Sequence, residues 1–136
     1  MAARFNNGVV YQADQVGLNN VLLTSEQTST TISCEGRDQL VIYVNLSTWA
    51  AASTVSVAVD TDEGTSTTWY PEQSDSVASG IATLSPLIFR KAVTAATAWH
   101  IYMPIIADKF RIRITSVDGT TDRVSVKLRL SNTGNS

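Results

Sequence analysis

Hydrophobic and polar residues alternate along most of the chain in short runs, a period of two that is typical of β-strands with one buried face. In TVSVAVDT, residues Val55, Val57 and Val59 fall on one side and Ser56 and Ala58 on the other. QLVIYVNL is apolar almost throughout, which predicts a central strand covered on both faces. Further runs are NVLLTS, TSTTISC, IATLSPLIF, TAWHIYMPI, DKFRIRITS and RVSVKLRL. Roughly seven or eight short strands predict an all-β, single-domain antiparallel β-sandwich or jelly roll.

Two connections are predicted to be hairpin turns. The first runs from Asp60 to Thr68, after which Trp69 and Tyr70 begin a return strand that Pro71 ends. The second contains Asp-Gly at positions 118 and 119, a strong turn signal because Gly tolerates positive φ. It separates DKFRIRITS from RVSVKLRL, so these two runs are predicted to pair with each other.

Other stretches interrupt the alternation. Pro86 lacks a backbone donor, which predicts an edge strand or a break within IATLSPLIF. LIFRKAVTAATAW mixes Ala, which favours helix, with Thr and Val, which favour strand, and is predicted to be a loop or a single turn. The polar, turn-rich start predicts an extended N-terminal arm over residues 1–18. A sandwich domain over residues 19–131 and a flexible tail over residues 132–136 complete the predicted organisation.

Charge is sparse and unevenly placed along the chain. Only 16% of residues are charged, below the roughly one quarter that is usual for globular proteins, and Ser and Thr make up much of that difference. A surface rich in Ser and Thr suits the solvent face of a sheet or a surface covered by partners. Residues 1–89 hold two basic and nine acidic residues, a balance of −7, whereas residues 90–136 hold eight and three, a balance of +5. Opposite charges on one molecule suit head-to-tail contacts between copies, which close into rings.

The positive C-terminal part contains a predicted stripe of four cations. In the predicted hairpin, Arg111, Arg113, Lys127 and Arg129 share the face opposite the core. This stripe has three interpretations: a solvated face, an interface with an acidic protein surface such as another copy, or a contact with nucleic-acid phosphates. A net charge of −2 and the lack of aromatic residues in the stripe argue against nucleic acid.

Few residues offer catalytic or metal chemistry. Cys34, the single cysteine, ends an apolar run, which predicts a buried, inert thiol. His100, the single histidine, lies inside AWHIYM, where a packed side chain is expected. Asp60, Asp62 and Gly64 give D-x-D-x-G, but no bidentate Glu completes a calcium loop, so a turn is expected instead. Nucleotide-binding and nucleophile motifs are absent from the sequence, and the prediction is a protein that is not an enzyme and uses no cofactor.

The tryptophans supply a second hypothesis. Flat aromatic faces suit carbohydrate rings, so Trp49, Trp69 and Trp99 form a candidate sugar-binding platform, although burial in a core or an interface is more common for Trp.

The N-terminus lacks the continuous apolar stretch of a signal peptide, and no window reaches the length of a membrane span. Synthesis and folding in a cytoplasm are therefore expected.

Residues 55–70 carry a resemblance to a known class of proteins. Here an alternating apolar strand is followed by an acidic-Gly-Thr turn and by Thr-Trp-Tyr. With DQLVIYVNL before it and FRIRITSVDGTTDRVSVKLRL at the end, this order of features over residues 33–130 resembles small virion proteins of tailed bacteriophages. The turn segment DEGTSTTW is longer in this chain than the corresponding turn in the compact form of that pattern. The resemblance implies a β-sandwich that assembles on a phage particle, in capsid decoration or cement, head-tail completion or the tail.

The resulting hypothesis is a non-enzymatic structural protein of a phage virion, foremost a capsid decoration or cement subunit made in the host cytoplasm. Expected partners are other virion proteins, such as the major capsid protein or head-tail subunits, and further copies in a homo-oligomer, without membrane or nucleic acid. The alternative is a carbohydrate-binding β-sandwich module of a tail or receptor-binding part. The residues predicted at the interface are Arg4, Phe5, Tyr11, Asp62, Glu63, Arg111, Arg113, Lys127 and Arg129.

Overall fold

The computed structural model describes residues 10–11, 15–48, 52–62, 68–116 and 122–132 of the chain. Its strands are β1 (Val10–Tyr11), β2 (Gln15–Leu22), β3 (Gln27–Thr28), β4 (Ile32–Ser33), β5 (Gln39–Thr48), β6 (Ser53–Asp62), β7 (Tyr70–Pro71), β8 (Gln73–Ala78), β9 (Ile81–Pro86), β10 (Ile88–Val93), β11 (Thr97–Pro104), β12 (Lys109–Ser116) and β13 (Arg123–Asn132). Within these ranges, no helix has the length and apolar character that crossing a membrane requires.

Two antiparallel sheets contain every described strand except β8 and β9. In sheet A, β13 and β5 are central, β11 forms one edge, and β1 and β2 both lie along the other side of β13. In sheet B, β6 and β12 are central, β7 and β10 lie along β6, and β3 and β4 lie along β12. The prediction of an antiparallel β-sandwich is confirmed.

The core lies between the inner faces of the two sheets. Because side chains alternate along a strand, every second residue of each central strand enters the same apolar layer. The buried members on the four central strands are Leu40, Ile42, Val44, Leu46, Val55, Val57, Val59, Phe110, Ile112, Ile114, Val124, Val126, Leu128 and Leu130. Each such side chain contributes roughly 1.5–3 kcal/mol when it leaves water, which makes this layer the main source of stability. The predicted burial of the β6 valines and the central place of β5 are confirmed, but the prediction that both faces of β5 are covered is wrong: Val41 and Tyr43 on its outer face are half-buried and Asn45 is exposed, because only the inner face of the sheet packs on sheet B.

The predicted hairpin of the two basic C-terminal strands is wrong. Strand β12 pairs with β6 in sheet B, whereas β13 pairs with β5 in sheet A. The Asp-Gly pair at positions 118 and 119 lies outside the described residues, and the connection that contains it leads from one sheet to the other. Two strands that face each other across a core show the same alternation as two strands that pair side by side, so the pattern could not separate these cases.

The segment LIFRKAVTAATAW also differs from its prediction. It forms strand β10, a short bend and the start of β11, because β6 and β5 each offer an edge to which it can hydrogen-bond. Pairing therefore overrides the helix preference of its alanines. The predicted break at Pro86 is confirmed, since β9 ends at Pro86 and β10 begins at Ile88.

The predicted hairpin after the β6 valines is confirmed, although its first strand is longer than predicted. Thr61 pairs with Tyr70 and Asp60 with Pro71. Strand β6 continues to Asp62, so the two aspartates belong to the strand and not to the connection. At the other end of the chain, β2 begins at Gln15 and pairs with β13, so residues 15–18 of the predicted arm are part of sheet A.

Strands β8 and β9 form a two-stranded ribbon that interrupts the edge of sheet B. Before the ribbon, the Glu72 N–H donates to the Val59 carbonyl, and after it Ile88 pairs with Ala58. Glu72 and Ile88 thus occupy neighbouring positions along β6, and residues 73–87 are an insertion between them. The Leu87 N–H donates to the Glu72 carbonyl and closes the base of the ribbon.

The tip of the ribbon is a two-residue turn. Ser79 has a φ of 54° and Gly80 a φ of 75°. Positive φ at both central residues gives a backbone twist that matches the right-handed twist of the flanking strands. The ribbon is therefore a regular hairpin that projects from the sandwich.

Candidate interaction surfaces

A buried carboxylate organises the outer face of sheet B. The side chain of Asp60 points away from the core, yet the residue is only 2% exposed because two arginines of β12 cover it. Arg111 Nε donates to Asp60 Oδ2 over 2.9 Å, and Arg113 donates to both carboxylate oxygens over 2.8 and 2.9 Å. Both oxygens are therefore held by guanidinium groups, and the arrangement is an ion-pair cluster instead of the calcium loop that D-x-D-x-G faintly resembles.

Two further side chains complete this cluster. Arg113 Nη1 lies 3.4 Å from Glu26 Oε2, and the Arg111 guanidinium lies 4.4 Å above the ring of Trp69. The hydrogen bond with Asp60 raises the pKa of Arg113, while partial burial acts in the opposite direction. Arg111 of β12 thus contacts both Asp60 on β6 and Trp69, the residue directly before β7, which gives both residues a structural role.

The predicted stripe of four cations does not exist as one surface. Arg111 and Arg113 lie on the outer face of sheet B, whereas Lys127 and Arg129 lie on the outer face of sheet A, on the opposite side of the molecule. This correction follows directly from the separation of β12 and β13.

The acidic candidates are also placed differently from their prediction. Asp62 was expected at the exposed tip of a connection, but it is the last residue of β6, opposite Lys109, and only 8% exposed. Tyr11 lies in β1, where its backbone pairs with Ser131. Arg4, Phe5 and Glu63 lie outside the described residues.

Folding mixes the two oppositely charged parts of the sequence. Sheet A combines β2 and β5 from the acidic part with β11 and β13 from the basic part, and sheet B combines β6 with β10 and β12 in the same way. Strands from the two parts thus alternate within each sheet, so neither part forms one end of the described structure, although the strands of sheet A carry cations and no carboxylate. The predicted head-to-tail attraction therefore cannot rest on a division of the molecule into residues 1–89 and 90–136.

The outer face of sheet A carries aromatic side chains beside its cations. Lys127, Tyr43 and His100 lie opposite one another on β13, β5 and β11 and form a row across the sheet. The rings of Tyr43 and His100 are 6.2 Å apart and tilted by 47°, and the Arg129 guanidinium lies 5.7 Å from the Tyr43 ring. His100 is exposed, so the expectation of a packed histidine is wrong. The absence of aromatic residues near the cations, inferred from the sequence, also fails here.

Next to this row lies a depression of about 340 Å³. Its floor is the neighbouring row across the sheet, which consists of Ser125, Asn45 and Ala98. These short side chains lie beside the longer ones of Lys127, Tyr43 and His100, and the difference in length creates the hollow.

The tryptophans do not form a common platform. Trp69 is half-buried under Arg111 on sheet B, and Trp99 is half-buried against the core on β11 of sheet A. Trp49 lies outside the described residues. The two described tryptophans are thus on different sheets, and each is already packed against other parts of the chain.

Cys34 is a core residue, as predicted. Its side chain is fully buried, and burial raises the pKa of the thiol to about 11, with a smaller contribution from Asp108. At neutral pH the thiol stays protonated, and a protonated, buried thiol is a poor nucleophile and a poor metal ligand.

The ribbon is an exposed surface that the sequence analysis missed. All its strand residues are exposed, including Val77, Ile81 and Leu84 at 69%, 67% and 67%. Its first strand, QSDSVA, has no apolar alternation, so no strand was predicted there. The Ser-Gly pair at positions 79 and 80 between VA and IATL is a turn signal that could have revealed the hairpin.

The register of the ribbon gives it two chemically different faces. Asp75 pairs with Leu84 and Val77 with Ala82, so these residues lie on one face, together with Gln73 and Pro86. The other face holds Ser74, Ser76, Thr83 and Ser85, with Ala78 and Ile81 near the tip.

No protein-family model matches the chain, and no curated protein sequence matches it either. Function is therefore inferred from the chain's own surfaces.

Proposed function

We propose that this protein is a non-enzymatic structural subunit of a tailed-phage virion, foremost a capsid decoration or cement subunit, which stabilises the particle through protein–protein contacts. It is made in the host cytoplasm, forms a homo-oligomer and binds neighbouring virion proteins. Two observations support the proposal: the resemblance of residues 33–130 to small phage virion proteins, and the exposed ribbon. The ribbon carries the argument, because it is the part of the described structure that lacks a packing partner of its own.

An isolated two-stranded ribbon is only marginally stable in water, since it has no third strand or helix to pack against. This ribbon keeps Val77 and Leu84 on one face about two-thirds exposed to solvent. Contiguous exposed apolar surface of this kind marks interaction sites on soluble proteins. A partner that covers this face would remove apolar area from water and would fix the ribbon at the same time.

The partner that fits this face best is the same face of a second copy. Asp75 is its only charged residue, so two such faces can meet without burying many charges. A two-fold axis would place the tip of each ribbon near the base of the other. Six residues of β-strand give a face roughly 20 Å long and 10 Å wide, about 200 Å² and well below the ~800 Å² per partner of a standard interface.

Part of the remaining contact area is available at the base of the ribbon. A cleft of about 250 Å³ opens there, lined by Pro71, Pro86, Leu87 and Ile88 and, at its sides, by the charged residues Glu26, Glu72 and Arg113. Apolar surface therefore continues from the ribbon onto the sandwich, where the tip of a two-fold-related ribbon would arrive.

Excision of the ribbon tests the self-association. Deletion of residues 73–87 joins Glu72 to Ile88, which already lie opposite neighbouring residues of β6. We expect light scattering coupled to size exclusion to show an oligomer for the full chain and a monomer for the excised chain, with a similar thermal midpoint for both. The double variant Val77→Ser/Leu84→Ser should also be monomeric. The control Ser76→Ala/Thr83→Ala, on the other face, should keep the oligomer.

The role in the particle has a separate test. We expect the gene to lie beside genes for a major capsid or portal protein, and the full chain to co-sediment with capsids assembled from that neighbouring capsid gene. A full chain that stays monomeric at high concentration and binds no capsid or tail component would overturn the proposal.

A further inference from the structure

The depression on the outer face of sheet A has the features of a small-ligand site, and we propose that it binds one acidic sugar residue of a glycan. It lies away from the ribbon, on the sheet that the ribbon does not join. The inference is independent of the proposed role in assembly. The volume of the depression, about 340 Å³, is at the lower end of the range for ligand pockets and suits a single sugar ring with its substituents.

The charge of this face favours an anion. The sequences of β2, β5, β11 and β13 contain no Asp or Glu, and their charged residues are Arg123, Lys127 and Arg129. Lys127 is exposed and lines the depression directly. An ammonium group in a setting without carboxylates on its own sheet attracts a ligand carboxylate through a charge-assisted hydrogen bond.

The floor of the depression offers neutral hydrogen-bonding groups. Asn45 is exposed and carries both amide donors and a carbonyl acceptor. The Ser125 hydroxyl oxygen accepts from the Asn20 N–H over 3.0 Å, which leaves its own O–H able to donate. Groups that both donate and accept match the hydroxyl groups of a sugar.

The aromatic row forms a wall suited to a flat ring. Tyr43 and His100 present tilted rings at the side of the depression, and the guanidinium of Arg129 lies against Tyr43. The C–H face of a sugar ring packs well against such an aromatic surface, as apolar groups generally do on aromatic rings. A uronic acid or a sialic acid combines the three matching features, which are a carboxylate, hydroxyl groups and a C–H face of the ring.

A nucleic acid fits the same face less well. Among the residues that the structure describes, Lys127 is the one formal cation that lines the depression, and the floor is neutral, which suits one negative charge. A phosphate backbone is instead recognised by several cations in succession, and the whole chain carries a net charge of −2.

The test is a titration of the full chain in which two-dimensional amide NMR spectra are recorded at each step. The ligands are methyl glucuronide, the methyl glycoside of sialic acid, neutral methyl glucoside and a ten-nucleotide thymidine strand. We expect shifts centred on residues 43–45, 98–100 and 125–127 with the acidic sugars. Lys127→Gln should weaken binding about tenfold, as expected for loss of one charge-assisted contact. The matched control Lys91→Gln changes an exposed lysine on sheet B and should leave binding unchanged.

The site is supported if acidic sugars bind, the neutral sugar binds more weakly, and Lys127→Gln but not Lys91→Gln weakens binding. Tyr43→Ala should also weaken binding, while the native spectrum of the variant verifies its fold. The inference is overturned if no sugar shifts these residues, if the neutral and acidic sugars bind equally, or if the thymidine strand binds more tightly than either acidic sugar.

Discussion

Asp60 is a side chain whose environment determines its effect on stability. It is buried on the outer side of sheet B between the guanidinium groups of Arg111 and Arg113. Removing one partner of a buried ion pair leaves the remaining charges without compensation. Because both arginines are partly exposed, water reduces this penalty. We expect Asp60→Asn to lower the free energy of unfolding by about 2–3 kcal/mol, measured by urea denaturation.

Two comparisons make this prediction specific. Asp75→Asn removes a carboxylate from the exposed ribbon and should change stability by less than about 0.5 kcal/mol. In a double-mutant cycle, Asp60→Leu and Arg113→Leu together should cost less than the sum of the two single changes, because the pair is removed as a unit. Equal effects of Asp60→Asn and Asp75→Asn would show that the cluster does not contribute to folding.

At the scale of elements, the strands that enter the core were predictable and their partners were not. The period-two pattern identified β6, β12 and β13, because burial of one face requires that pattern, and the continuous apolar run QLVIYVNL identified β5. It carries no information about which strand lies beside which, and so β12 and β13 were wrongly paired. The ribbon was missed for a related reason: it contributes nothing to the core, so burial did not shape the sequence of β8.

The candidate site residues follow the same division. Arg111 and Arg113 were recognised as cations on an outer face, but their partner Asp60 was interpreted as part of a turn, since neighbours across strands are invisible in the sequence. The depression on sheet A combines residues from three strands that are far apart along the chain. Only the register of those strands brings Tyr43, His100 and Lys127 into one row.

The independence of the ribbon from the core gives an element-scale prediction. Gly80 has a φ of 75°, a conformation that a β-branched residue adopts only with strain. Gly80→Val should therefore open the ribbon and speed its cleavage in limited proteolysis, while the thermal midpoint of the sandwich, measured at low protein concentration, stays the same. Ser79→Asn should keep the ribbon closed, because Asn-Gly is the preferred pair for this turn.

The core provides the comparison for the ribbon variants. Ile112→Ala removes a fully buried side chain and should cost about 2–5 kcal/mol. If Gly80→Val lowered the thermal midpoint as much as Ile112→Ala, the ribbon would be part of the cooperative unit of the sandwich. The proposal that the ribbon is a separate element that binds a partner would then be wrong.

At the scale of the whole molecule, the distribution of charge decides between two modes of self-association. The sequence balance of −7 and +5 in its two parts predicts head-to-tail attraction. The topology mixes these two parts, because their strands alternate in each sheet. The face of the ribbon that holds Val77 and Leu84, with Asp75 as its one charged residue, is the surface that we propose for contact between copies.

Salt separates these two modes. At 1 M NaCl charges are screened within ~3 Å, so an association that depends on opposite charges weakens strongly between 0.05 and ~1 M salt. Burial of apolar area is not screened, and sulfate strengthens it. We expect the oligomer mass from light scattering to persist across this range of NaCl and to be favoured by ammonium sulfate. Dissociation of the full chain by NaCl would instead assign the contact to charged groups and would leave the ribbon without its proposed partner.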